Sequence, residues 1–132
     1  IMASFGKKSK ERLGDLDPGL RTVLEDAIEL TDFTVLETIR GKHIQDKLYA
    51  EGKSTLKYPE SKHNSYPSLA VDIAPYPIDW EDSKRFVYLA GIIMGIAAKH
   101  GVKVRWGGNW DQDDVIIDDQ NFDDLPHFEV AG

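Results

Sequence analysis

Two histidines and one aspartate stand where they could grip a metal. His63 falls in Ser61-Lys62-His63, nine residues before Asp72, and Asp72 interrupts the apolar run Leu69–Ala74. A carboxylate in such a run is costly to bury unless it is paired or bound to a metal. His127 sits in Asp124-Leu125-Pro126-His127-Phe128-Glu129, at the edge of another apolar stretch. Two imidazoles and a carboxylate are a ligand set of catalytic zinc, which keeps a fourth position for water. Asp124, three residues ahead of the last histidine, is then placed to act as general base. The plainer alternative is Asp72 paired with an arginine and both histidines on the surface. Glu129, two residues past His127, shares its side of a strand; it is either a partner of that ligand or a surface carboxylate. The other two histidines read as structural. His43 lies in a solvated helix beside Lys42 and Asp46, and His100 ends a helix, where a cation suits the dipole.

Composition narrows the chemistry. The 132 residues include no cysteine, so disulfides, thiolate nucleophiles and Cys-type zinc sites are all excluded. The net charge of −7 argues against non-specific binding to nucleic acid. The excess is concentrated: seven Asp and no Lys or Arg lie between Asp111 and Asp124. That segment reads as a solvated acidic loop or as an irregular calcium site built on Asp111, Asp113 and Asp114. An EF-hand is excluded, since Val115 stands at the next alternate position and no Gly follows. The longest uncharged apolar run, Phe86–Ala98, has 13 residues, against the ~20 that span a bilayer, so no membrane insertion is expected. Ile1–Gly6 is too short for the apolar core of a secretion signal, and synthesis in a cytoplasm without a signal peptide is expected.

The elements that must position these groups are legible in outline. Residues 1–10 read as a flexible arm and 11–132 as one domain. Asp17-Pro18 is a helix start, followed by Leu20, Val23, Leu24, Ala27 and Ile28 at helical spacing. Asp32–Ile39 is β-branched and aromatic and predicts a strand. Gly41–Glu51 predicts a short helix closed by Gly52. Ser54–Pro67 is a polar loop, and Leu69–Ala74 a buried strand ended by Pro75 and Pro77. Glu81–His100 is the longest helix, stopped by Gly101. Val102–Trp106 and His127–Val130 are further strands, with a turn expected at Val115–Ile117. Helices and strands mix without a βαβ rhythm, which favours α+β. Trp110, beside the acidic segment, reads as a wall of the cleft. Tyr66 and Tyr76, near the metal loop, read as substrate contacts.

Taken together, Ser61-x-His63, Ala70-Val71-Asp72 and Asp124-x-Pro126-His127-Phe128-Glu129 resemble the zinc D-Ala-D-Ala carboxypeptidase and L-alanyl-D-glutamate endopeptidase family, to which many bacteriophage endolysins belong. Ser9-x-x-Arg12-Leu13 and Leu16-Asp17-Pro18-x-Leu20 are similar to the opening of the phage endopeptidase branch. Asp32-Phe33-x-Val35 with Arg40 and Gln45, Leu48-Tyr49-Ala50-x-Gly52-Lys53, and Trp106-Gly107-Gly108-x-Trp110 match further blocks. One departure is a nine-residue step from His63 to Asp72 with no Gly, longer than the common family spacing.

The resemblance implies a small α+β domain, like those of Hedgehog and the DD-peptidases, whose antiparallel sheet carries zinc between flanking helices. It implies His63, Asp72 and His127 as zinc ligands, Asp124 as catalytic acid/base, and Arg40 steadying the substrate carbonyl. Ser61 and Gln45 are implied near the substrate. The implied activity is peptidoglycan hydrolysis, at the L-Ala–D-Glu bond of the stem peptide, by a monomeric endolysin that reaches the wall after holin-type release. D-Ala-D-Ala carboxypeptidase or dipeptidase chemistry would use the same ligands. A non-catalytic wall-binding module with a structural metal would have no need of Asp124.

Overall fold

The computed structural model describes residues 3–112 and 124–131. The chain runs α1 (Lys7–Leu13), α2 (Pro18–Ala27), β1 (Phe33–Glu37), α3 (Lys42–Ala50), one 3-10 turn (Lys62–Asn64), β2 (Ala70–Pro75), α4 (Ser83–His100), β3 (Val104–Gly107) and β4 (Asp124–Val130). The strands form one antiparallel sheet in the order β1-β2-β4-β3. The α+β expectation holds. No helix among the described residues is long and apolar enough to cross a membrane.

Alternation along the strands divides the sheet into two faces. Val71 and Ile73 of β2, Phe128 of β4, and Val104 and Trp106 of β3 join one core with Leu20, Val23 and Leu24 of α2 and Leu89, Ile93 and Ala97 of α4. Asp72, His127, Glu129 and Arg105 belong to the opposite face. Asp17 caps α2 as its sequence predicts, accepting from Leu20 N at 3.1 Å with Pro18 in the first turn. Gly101 ends α4 at φ 71°, where a side chain would be strained.

Three elements depart from the sequence reading. Residues 7–10 are not part of a loose arm. They begin α1, and Ser9 is buried. The Ser9 hydroxyl accepts from Val35 N at 3.1 Å, and Arg12 donates to Val35 O at 2.8 Å. These bonds close the outer edge of β1, which would otherwise offer unpaired backbone groups. Second, β2 runs on through Pro75. Third, β4 starts at Asp124, ahead of the expected His127, although it is an inner strand and contains Pro126. A proline fits there only at an irregularity. The register against β3 shifts between Trp106 and Gly107, from Trp106↔Phe128 to Gly107↔Asp124, so the residues between Asp124 and Phe128 bulge out of the pairing with β3. Trp106 Nε1 donates to Leu125 O at 2.8 Å within this bulge.

Candidate metal centre

The sheet register assembles the site. Asp72 on β2 lies directly opposite His127 on β4, and Glu37 on β1 lies opposite Asp72 from the other side. His63 arrives from outside the sheet on the 3-10 turn. Its backbone carbonyl accepts from Arg40 N at 2.8 Å, and Ser61 Oγ caps the turn by accepting from His63 N at 3.2 Å. The result is a group of three ligand atoms, one each from His63, Asp72 and His127, all within 4.8 Å of one another. His63 Nε2 is 3.3 Å and His127 Nδ1 3.1 Å from the same Asp72 Oδ1. Tetrahedral ligands about 2.0–2.1 Å from a zinc ion stand about 3.3 Å apart.

Hydrogen bonds on the far side of each ring fix which nitrogen faces inward. His63 Nδ1 is 2.7 Å from Thr38 O, a group that can only accept, so Nδ1 carries the proton. A neutral His63 then turns its Nε2 lone pair toward a carboxylate oxygen at 3.3 Å. Two acceptors that close repel unless a cation, either a second proton or a metal ion, sits between them. His127 Nε2 donates to Glu129 Oε1 at 2.8 Å, which leaves Nδ1 for the site. Glu129 is therefore a partner of the ligand and not a surface carboxylate. Such outer carboxylates orient the ring and raise its basicity. The residues present fit a zinc ion.

Without metal, a proton on His127 Nδ1 ties that ring to Asp72 Oδ1. Burial alone would lower the pKa of His127, but hydrogen bonds to Asp72 and Glu129 outweigh burial and raise it from 6.5 to about 9. Burial would raise Asp72, yet the bonds from His127 and His63 hold it well below the usual carboxylate range. Glu129 is likewise pushed down to about 2, by His127 and then Arg105 against the effect of burial. A raised folded-state pKa stabilises fully below the unfolded value and is lost as pH rises through the folded one. A depressed pKa stabilises above the unfolded value and is lost on acidification. The metal-free protein is thus expected to melt highest near pH 5–6, and lower both toward pH 9–10 and toward pH 2–3. Circular-dichroism melts in chelator across that range check this. A flat profile would show that the three groups are not coupled.

Asp124 opens β4 beside this group, and Gly107 determines how closely β3 approaches it. A Cβ at Gly107 would lie 2.0 Å from Asp124 O and 2.9 Å from Asp124 Cβ. Gly107→Ala is expected to cost about 1–3 kcal/mol as overpacking and to displace Asp124. Its melting point should drop by several degrees, and turnover should fall more than zinc affinity does. An unchanged melting point would mean that the strands part without cost. Burial first, and the Asp72 charge second, raise the pKa of Asp124, which makes its carboxylate a stronger base.

Arg40 follows β1 and faces the group. Its Nη2 is 4.0 Å from Asp72 Oδ2, while Nε and Nη2 donate to Glu37 Oε1 and Nη1 donates to Gln45 Oε1. Gln45 and Ser61, expected to touch substrate, do otherwise. Gln45 is fully buried: its Oε1 also accepts from Asn64 and its Nε2 donates to Leu56 O and Ser54 Oγ, so it positions Arg40. Ser61 is buried and positions His63. Tyr66 and Tyr76 are 75% and 58% exposed, and among the described residues no ring contact or side-chain hydrogen bond ties either to the metal group. Trp110 does lie at the site, its ring centroid 5.4 Å from that of His127. His43 is exposed and His100 pairs with Asp26, as structural readings require. Asp111 is exposed in a turn. Asp113, Asp114 and the turn expected at Val115–Ile117 lie outside the described residues, and the calcium reading with them. Sequence reasoning missed Thr38, Glu37 and Arg105. Only Arg105 left a signal, because in Val104-Arg105-Trp106 it must face away from the core.

Known proteins share this architecture. The family described as phage L-alanyl-D-glutamate peptidase matches residues 1–131. Over 111 residues, 80% of this chain and 80% of the relative, the chain is 35% identical to an L-alanyl-D-glutamate peptidase of Escherichia phage T5. The crystal structure of the Serratia marcescens L-Ala D-Glu endopeptidase ChiX matches with a TM-score of 0.78 at 27% identity, covering 96% of this chain and 89% of that one. On sequence and on fold, the chain belongs to the phage L-alanyl-D-glutamate peptidase family.

Proposed function

We propose that this chain is a zinc-dependent endolysin that hydrolyses the L-Ala–D-Glu bond of the peptidoglycan stem peptide. The observation that carries the reading is the convergence of His63 Nε2 and His127 Nδ1 on Asp72 Oδ1, at 3.3 and 3.1 Å, on the sheet face where Asp124 begins β4. Membership of the phage peptidase family supports the choice of bond. His63, Asp72 and His127 would hold the metal. Zinc bound there supplies a Lewis acid for the scissile carbonyl and activates water at neutral pH.

The chain's own groups do the rest. Asp124 accepts a proton from the attacking water and returns it to the leaving amine nitrogen as the C–N bond breaks. Arg40, held by Glu37 and Gln45, offsets negative charge that develops on the carbonyl oxygen. Thr38 and Glu129 keep both imidazoles in the tautomer the site needs. In a host cell the protein would act on the wall after holin-type release, as a single copy.

Mass spectrometry of fragments released from purified peptidoglycan by the zinc-loaded protein tests the reading. The expected products are L-Ala with a free carboxyl on the glycan lactyl group, and peptides that begin at D-Glu. Release of D-Ala alone would move the assignment to carboxypeptidase chemistry. No release, with zinc confirmed bound, would sink the enzyme reading for this substrate.

A further inference from the structure

Two arginines stand on the site face of the sheet, and they differ in what they have left to offer. Arg40, at the β1 end, has Nε, Nη1 and Nη2 all engaged by Glu37 and Gln45, and its side chain is 12% exposed. Arg105 lies on β3, at the opposite end of the strand order. Among the described residues its Nη2 donates to Glu129 Oε2 at 2.7 Å and its Nη1 reaches only Trp110 O at 3.5 Å, while Nε is buried without an acceptor. Its side chain is 36% exposed.

Arg105 also has charge to spare. Glu129 Oε2, its carboxylate partner, stands 3.3 Å from Lys62 Nζ as well, and Glu129 Oε1 is taken by His127. Two cations share one carboxylate, which leaves a positive charge uncompensated among the described residues, one side chain away from His127. The guanidinium is held in place: its carbon lies 5.3 Å from the centre of the Trp110 ring, and that ring lies against His127. A fixed, partly exposed guanidinium whose two terminal nitrogens each keep an unused N–H is built to take a planar anion.

We propose that Arg105, backed by the charge of Lys62, is a carboxylate subsite that reads the free carboxyl group of the residue on the leaving side of the scissile bond. The inference rests on the endopeptidase reading above. Glutamate has two carboxyl groups and a peptide continues through only one of them. A D-Glu that follows the cleaved bond therefore carries a free anion a few bonds from the reacting carbon. Arg40, on the β1 side of the sheet, is held by Glu37 and Gln45 and is assigned to the scissile carbonyl oxygen, so this carboxyl falls to Arg105. Conversion of that carboxyl to a carboxamide removes the charge and leaves Arg105 facing a partner with N–H donors, a mismatch that sites of this kind reject.

The test compares two synthetic stem peptides, one with the free carboxyl of D-Glu and one with its carboxamide, on zinc-loaded wild type and on Arg105→Gln. Wild type is expected to favour the acid in kcat/KM by about tenfold or more, mainly through KM. Arg105→Gln is expected to bring the ratio close to one. The ratio is read within one enzyme, so a general loss of activity or metal in the variant leaves it intact. Should the variant not turn over, calorimetry of the D-Glu-terminated product and its amide on each zinc-loaded protein reads the same ratio. Equal cleavage of both peptides by wild type would overturn the subsite and leave the peptidase reading standing. A ratio that survives in Arg105→Gln would place acid recognition elsewhere and overturn it too. Cleavage of neither peptide by wild type would instead be a failure of the endopeptidase reading.

Discussion

Asp72→Asn is expected to fold, to lose zinc affinity by about 10³-fold, and to lose turnover with it. The magnitude follows from sharing the roughly 10–16 kcal/mol of a protein zinc site among its ligands, which leaves each about 3–5 kcal/mol, or 10²–10⁴ in affinity. Asp72 is the centre of the group: both histidines approach its Oδ1, and no other carboxylate among the described residues completes a three-ligand set. Asparagine keeps the shape and offers an amide to the facing rings, so the fold survives where alanine would leave buried His127 short of a partner. Metal analysis of the purified variant and zinc titration by calorimetry check this. A zinc affinity within tenfold of wild type would mean that the metal sits elsewhere.

The order of elements and the chemistry-bearing residues were legible in the sequence for identifiable reasons. Asp72 betrayed itself because a carboxylate in Leu69–Ala74 has no cheap explanation, and period-2 alternation placed it opposite the core. Helix ends were marked by Asp17-Pro18 and Gly101, whose caps the structure confirms. What stayed hidden depends on contacts distant in sequence. Ser9 and Arg12 have ordinary helix neighbours, and nothing local says that they close the edge of a strand 26 and 23 residues on. Pro126 concealed the start of β4, because a proline argues against an inner strand until a bulge makes room for it. Gln45 and Ser61 have polar side chains near the site in sequence, and only burial shows that they serve Arg40 and His63 and not a ligand. Arg105 needed β3 and β4 to pair before its tie to Glu129 could be seen.

Asp124→Asn separates the two jobs that a carboxylate beside a metal can have. If Asp124 moves the proton, the amide variant should retain zinc, the fold and a KM close to wild type, while kcat falls by about 10²–10⁴. Asparagine is nearly the same size, so the close approach of the Asp124 backbone to Gly107 is undisturbed. Asp124 is absent from the three-ligand group, so zinc content should not change. A structural role predicts the reverse pattern, with a lower melting point or weaker zinc binding and little change in the chemical step. The pH dependence of kcat adds a second signature. The wild-type kcat–pH profile should carry an acidic limb, and that limb should be missing from whatever activity Asp124→Asn retains. A variant with unaltered kcat and the same acidic limb would remove Asp124 from the mechanism and leave the proton to another base.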